Sequence, residues 1–540
     1  MIQEKAILQA AVSEGLLSEQ DINKAKMVAR REKKEVLSTL SFLHRIPEMS
    51  FYRAYAEYHE LEYLSAASLQ PSIKVARKCG YSLLKSRAIL PIVLNEEDSV
   101  VHIACDIAPE AGLKRQMEKL FGDQVRYYLA DSRALDIAIK RIQPILNPLT
   151  DTSETEEVFN PVEELQEVLL QAYLHRASDV HFEPLKDQMM VRIRVDGRLQ
   201  EMSNRYDLEQ ANSLISRIKV LSKLDIAENR IPQDGSMTHQ LENGVDFDIR
   251  VATMPARFGE RATLRLLGTE KQLYSLKQLG MDDEELVRFK EAINLPHGMI
   301  LITGPTGSGK STTLYAALQE ICSPEINILT AEDPVEQPIE HISQLQVGVK
   351  VNFANALRSF LRHDPDVIMV GEIRDGETAD VALKAAMTGH LVFSTLHTNT
   401  AVGCVNRLQD IGAEPFLIAS TLISAIAQRL ARKLCVKCRI KTELSVEYRK
   451  ALDLNDAELS ELYQPIGCAH CSGTGYQGRV ALFEILWVDQ QVREAITHRA
   501  SEHEIIEAAE NYTSLATDGR RKFIQGMTSL EELQRLAIVR

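Results

Sequence analysis

The chain has 540 residues, 45% of them hydrophobic and 26% charged, with a formal net charge of −14. That length requires about three or four domains. The acidic balance argues against a general nucleic-acid binder, which carries a basic surplus, and no apolar run reaches the ~18 residues of a membrane-spanning helix.

The first residues, MIQEKAILQAAVSEG, place glutamates inside their apolar pattern and offer no cleavage site, so a cytoplasmic chain without a signal peptide is expected. Residues 1 to about 140 read as mixed helices and short strands. Glu19 to Lys33 has a helical pattern opened by Ser18. ILPIVLN and SVVHIACD read as strands flanking an EED turn, followed by a helix near 109–121. Residues 143–161, QPILNPLTDTSETEEVFNP, are rich in proline, hydroxyls and acid, the composition of a linker. A second unit then runs from an amphipathic helix, Val162 to Arg176, through strands SDVHFEP, MMVRIRVDGRL, VDFDIRVATMP and RATLRLL, with a helix at 209–222. A third, from about 270, alternates strands and helices in the α/β manner. The tail, 489–540, reads as helical and polar.

Within the third unit, GPTGSGKST (Gly304, Pro305, Thr306, Gly307, Ser308, Gly309, Lys310, Ser311, Thr312) matches the phosphate-loop pattern. It lies between the strand MILIT and the helix TTLYAALQEI, the context the motif needs. Glycines let backbone N–H groups turn toward phosphate, and the helix N-terminus adds positive potential. Lys310 would meet the β- and γ-phosphates of ATP, and Ser311 the Mg2+. Two apolar strands end in acid. ILTAEDPVE carries Glu332, Asp333 and Glu336, and VIMVGEIRD carries Glu372. Acidic strand ends beside a phosphate loop can share the metal and the attacking water; the alternative is solvated loop carboxylates. TGHLVFSTLHTN follows, with His390 and His397. No cysteine or acid stands three or four residues from either, which argues against metal ligation.

Of eight cysteines, Cys79, Cys105, Cys322 and Cys404 are scattered and read as small buried hydrophobes. The others form CVKC (Cys435, Cys438) and, twenty-nine residues on, CAHC (Cys468, Cys471). That spacing suits four thiolates on one tetrahedral Zn2+. Four sulfurs fill the shell, so the zinc would be structural; a thiol-redox pair is the lesser alternative.

The phosphate loop, AEDPVE, GEIRD and TGHLVFSTLHTN, in that order and spacing, resemble the ATPases of type II secretion and type IV pilus assembly. The block SDVHFEP, RVDGRL, IPQDGSM, DIRVATMP and GERATLRLL resembles their second N-terminal domain, and the cysteine pairs resemble the zinc element of the assembly-type members. The resemblance covers about residues 160–500. It implies an α/β multidomain fold: a docking domain at 1–140, a linker at 141–161, a PAS-like α+β domain at 162–268, and a RecA-like ATPase domain at 269–540 with the zinc element inserted at about 433–480. It implies a homo-hexameric motor, peripheral to the inner membrane through a platform protein and the cytoplasmic segment of a membrane assembly protein. By resemblance His397 senses the γ-phosphate end while His390 braces its loop. Glu372 holds the metal, and Arg250 and Arg265 close over the phosphates, with Arg194 a weaker candidate. Between Glu332 and Glu336 as the group that polarises water, the resemblance does not choose. Retraction-type pilus motors share the core but lack the long N-terminal region and the cysteines, which favours secretion or extension.

The N-terminal region departs from relatives whose matching domain binds cyclic di-GMP. Ala6–Ile7–Leu8 stands where Arg-Leu-Gly begins that domain, Val36–Leu37 replaces a Leu-Gly step, and His44 replaces a further glycine. A guanine dinucleotide needs the guanidinium and the close backbone that are missing, so weak or lost binding is expected. Two other functions compete. A nucleic-acid translocase is disfavoured by the acidic balance and the lack of a basic run. A nucleotide-binding scaffold without turnover is disfavoured by Lys310, Glu332, Glu336 and Glu372 occurring together.

Overall fold

The computed structural model describes residues 2–539 apart from 33–35, 45, 66–67, 94–99, 123, 147–158, 241–245, 268–274, 349, 453 and 455–461. The expected EED turn and most of the expected linker lie outside the described residues. The chain divides into two compact units, Met1–Glu270 with Ile466–Gly475, and Lys271–Pro465 with Tyr476–Arg540.

The first unit opens with helices Ile2–Ser13, Glu19–Glu32, Val36–His44 and Glu48–Tyr58. Ser18 starts the second helix. Its N–H donates to the Asp21 carboxylate at 2.9 Å, and the Asp21 N–H donates to the Ser18 hydroxyl at 3.2 Å, the reciprocal bonding of a capping box. A four-stranded sheet follows in the order Glu62–Tyr63, Val125–Leu129, Val101–Cys105, Ile89–Ile92. Its antiparallel pair is the two strands expected from sequence, and the expected helix spans Ala111–Phe121.

The rest of this unit is an antiparallel sheet in the order Arg198–Tyr206, Met189–Val195, Asp179–Pro184, Gly259–Leu267, Asp246–Ala256, Gln233–Gln240. Helices Pro161–Leu174 and Leu208–Leu221 bury Val168, Leu169, Leu214 and Ile218 in one core with Val180, Phe182, Val191 and Leu264 of the sheet. The expected single strand MMVRIRVDGRL is two strands, because Asp196 and Gly197 take φ of 47° and 82°. Asp-Gly with both residues left-handed makes the tight turn whose twist suits a hairpin. The edge strand Gln233–Gln240 has no sequence signal. Met237 is its single buried side chain, so there is no apolar alternation to read.

The second unit is built on eight strands in the order Ser343–Gln346, Ile328–Glu332, Val367–Val370, Leu391–Leu396, Gly298–Thr303, Leu422–Leu434, Tyr476–Trp487, Tyr512–Thr513. The first six run parallel, and Tyr476–Trp487 is antiparallel to both neighbours. Alternate residues of the strand before the phosphate loop serve opposite faces: Met299 and Leu301 join one core, Ile300 and Ile302 the other. A sheet covered on both faces needs such continuous apolar runs.

The tail is helical, as expected, but it is also part of the sheet's structure. The Asp518 carboxylate accepts from the Phe483 N–H at 2.8 Å and from the Lys522 ammonium, all three residues being buried. Arg432, in a strand, pairs with the wholly buried Glu532 at 2.8 Å. Among the scattered cysteines, Cys105 and Cys404 are buried as expected, whereas Cys79 and Cys322 are only half-buried.

Candidate active site

Parallel register brings four strand ends to one edge. Thr303 pairs with Leu396, Val370 with Ser394 and Ala331 with Val370. The chain therefore leaves the sheet side by side at Gly304, His397, Gly371 and Glu332. The carboxyl edge is where open α/β sheets take their ligands.

In the phosphate loop Gly304, Gly307 and Gly309 hold φ of 140°, 77° and 88°. Space is restricted as well: a Cβ on Gly304 would lie 2.5 Å from the Gln428 carbonyl oxygen, and one on Gly309 2.8 Å from Gln428 Nε2. Pro305, Thr306 and Gly307 are exposed at the loop's tip, Thr312 is exposed on the first helical turn, and Ser308 is buried. The helix Lys310–Ile321 starts at once. Lys310 Nζ donates to the carbonyls of Gly304 at 2.8 Å and Pro305 at 3.2 Å. Burial pushes its ammonium below the ordinary lysine range; Glu372 and Glu336 oppose that shift and Arg429 adds to it. Lys310 thus senses all three charges.

The structure separates the acidic residues. Glu336 lies beside the loop, its carboxylate accepting from the Ser311 hydroxyl at 3.2 Å. Glu332 is buried and already occupied: it accepts from Tyr315, from Thr330 Oγ1 at 2.5 Å and from Gln344 Nε2 at 3.0 Å. Glu372, largely buried, is bracketed by Arg374 and by His397 Nε2 at 3.3 Å. His390 bonds instead to the Ala385 carbonyl at 2.9 Å, bracing its own turn. The histidine segment is tied to the loop's strand, since Thr398 N–H donates to Thr303 Oγ1 at 2.8 Å. Ser311, Glu336 and Glu372 together offer a hydroxyl and carboxylates, the hard oxygen donors that suit Mg2+.

Three residues at this edge escape the sequence reading. Arg374 has a visible signal, two positions after Glu372. Tyr315 reads simply as helix. Arg429 lies in the largely apolar strand LISAIAQRLARKL, yet its guanidinium reaches Asn399 Oδ1 at 3.1 Å and the Gln428 carbonyl at 3.3 Å. Burial lowers its pKa, opposed by Glu484.

Arg250 and Arg265 belong to the first unit and are direct cross-strand partners. Arg265 Nε lies 3.0 Å from an Asp179 carboxylate oxygen, and Arg194 lies 3.6 Å from the other. Like charges directly opposite on a sheet are unfavourable, and the Asp179 carboxylate on the neighbouring strand offsets part of that cost.

The ligand atoms of Cys435, Cys438, Cys468 and Cys471 all lie within 4.8 Å of one another. Cys468 and Cys471 sulfurs are 3.8 Å apart. A tetrahedron with zinc–sulfur bonds near 2.3 Å has edges of about 3.8 Å, so the residues fit the ion. His470 Nε2 is 3.2 Å from the Gly15 carbonyl oxygen and is no member of the cluster.

A family model described as Type II/IV secretion system protein matches residues 155–535. Type II secretion system protein E of Aeromonas hydrophila is 48% identical over 372 residues, covering 68% of this chain and 74% of that protein. The type IV pilus assembly ATPase PilB of Thermus thermophilus is 41% identical over 437 residues, 80% of this chain and 48% of PilB. Among solved structures, the ATPase DotB of Legionella pneumophila has a TM-score of 0.52 at 25% identity, covering 71% of this chain and 98% of DotB.

Proposed function

The chain belongs to the type II/IV secretion system protein family, and from that premise we propose how this ATPase motor of secretion or pilus assembly uses its residues. The observation that carries the reading is the gathering of Lys310, Ser311, Glu336, Glu372 and His397 at one sheet edge. Lys310 and the N–H groups of residues 304–312 bind the phosphates of ATP. Ser311 and Glu372 would hold Mg2+, which neutralises phosphate charge when bound. Glu336 orients the attacking water and accepts its proton, while Glu332 supports the segment from behind. His397, beside Glu372, responds to the γ-phosphate end. Arg250 and Arg265 close over the developing charge, for which a planar fork of donors is suited.

Around this site the reading places a docking domain at 1–140, a PAS-like domain at 162–268 and a RecA-like domain from 269. The motor works as a homo-hexamer held at the inner membrane by a platform protein and the cytoplasmic segment of an assembly protein. Cys435, Cys438, Cys468 and Cys471 hold one structural Zn2+. Among the described residues no helix is long and apolar enough to cross a membrane, which supports attachment through partners. Lys310→Ala tests the core of this: it should abolish magnesium-dependent ATP turnover while leaving the fold and bound zinc intact, and wild-type turnover would remove the site assignment.

A further inference from the structure

Glu336 is gripped from both ends by one helix. Ser311 and Tyr315 are four residues apart in Lys310–Ile321, and residues at that spacing share a helix face. Ser311 donates to the Glu336 carboxylate at 3.2 Å, and the Glu336 backbone N–H donates to the Tyr315 hydroxyl at 3.1 Å. Tyr315 is itself fixed, since it is buried in the core beneath the loop and donates its own proton to Glu332. Glu332 cannot turn away, because Thr330 and Gln344 occupy its other oxygen at 2.5 and 3.0 Å. Gln344 also holds the intervening loop, donating to the Gln337 carbonyl at 3.0 Å and accepting from the Ile339 N–H at 2.8 Å. A buried carboxylate with three neutral donors is costly to rearrange. The network therefore fixes the acidic loop to the helix that starts at the phosphate-binding lysine.

We propose that Tyr315 is a positioning residue for ATP hydrolysis, setting Glu336 against Ser311 through its hydroxyl, with Glu332 as the anchor of that phenol. The inference rests on the role given to Glu336 above. It accounts for the polar group of Tyr315, Thr330 and Glu332 buried behind the acidic loop. A general base displaced by even about 1 Å loses much of its effect, so the hydroxyl matters to rate more than to nucleotide binding.

Tyr315→Phe in the full-length chain keeps the ring and removes one oxygen. Its kcat should fall about tenfold, with KM for magnesium-ATP changed by no more than about twofold. A structural role alone would not produce the second signature, which is a double-mutant cycle: Tyr315→Phe/Glu336→Gln should be no slower than Glu336→Gln. Wild-type kcat in Tyr315→Phe, or a double variant slowed by the product of the two single effects, overturns the proposal. Glu336→Gln at the wild-type rate, beside an inactive Lys310→Ala, overturns instead the role of Glu336 and the route through it. Should Tyr315→Phe fail to fold, Glu332→Gln leaves the phenol in place against an uncharged acceptor. It should give the same pattern on a smaller scale, and independence from Glu336→Gln would again count against the idea.

Discussion

The arginines of the first unit illustrate how a single side chain can be held ready without being committed. Arg265 is more than half exposed while paired to Asp179, and Arg250 faces it across the strands. Asp179 is buried but also faces Arg194 at 3.6 Å and accepts from the Ser178 hydroxyl at 2.7 Å, so it keeps partners when Arg265 turns to a phosphate oxygen. Arg250→Ala and Arg265→Ala should therefore lower kcat, by roughly tenfold each, more than they weaken ATP binding. Turnover at saturating ATP together with analogue binding checks this, and normal kcat with weakened binding would refute the closing role. Sequence identifies both residues through resemblance alone. Nothing in DIRVATMP or TLRLL distinguishes a phosphate ligand from a surface ion pair, because that difference depends on which strands become neighbours.

At the level of elements, legibility follows burial. The strands at the carboxyl edge are plain, since doubly covered strands must be apolar throughout and their acidic ends then stand out. Gln233–Gln240 is invisible because its pattern is polar on both faces, and the turn at Asp196–Gly197 is hidden inside an otherwise regular alternation. Glu332 and Glu336 cannot be told apart from sequence because what separates them, burial against Tyr315 for one and a place beside Ser311 for the other, is set by tertiary contacts with a helix whose hydroxyls leave no periodic trace. The cysteine element is legible from spacing, and its test is chemical. Cys468→Ser should lose about one zinc per chain and leave residues near 433–480 open to proteolysis, since structural zinc contributes folding free energy directly. ATP binding should survive. Metal analysis of anaerobically purified wild-type protein showing no zinc and four free thiols would contradict the assignment.

On the scale of the whole molecule, the N-terminal region is where the sequence differs from the pattern expected for cyclic di-GMP binding. Ile7 and Leu8 are buried in the helical core, and His44 lies 3.8 Å from Asp21. None of these positions presents a free guanidinium or bare backbone. Calorimetry on the full chain should find cyclic di-GMP bound at least about tenfold more weakly than by a relative with the complete pattern, since each strong hydrogen bond to the ligand that is missing costs about 1.4 kcal/mol. Sub-micromolar binding would overturn this. Deleting residues 1–140 should leave ATPase activity measurable but stop recruitment to membranes; unchanged recruitment would rule out docking by this region.

The buried pairs Arg432–Glu532 and Lys522–Asp518 also bear on biosynthesis. Arg432 is a buried cation whose counter-ion, Glu532, is translated a hundred residues later, and removing one partner of such a pair costs about 3–5 kcal/mol. The ribosome adds only about 5–20 residues each second. The Arg432 guanidinium therefore waits about 5–20 s for its carboxylate, and the Phe483 N–H waits for Asp518, thirty-five residues on. A stop codon introduced ahead of Glu532 would leave that buried cation without its carboxylate for good, and the strand around it open to the cell's proteases.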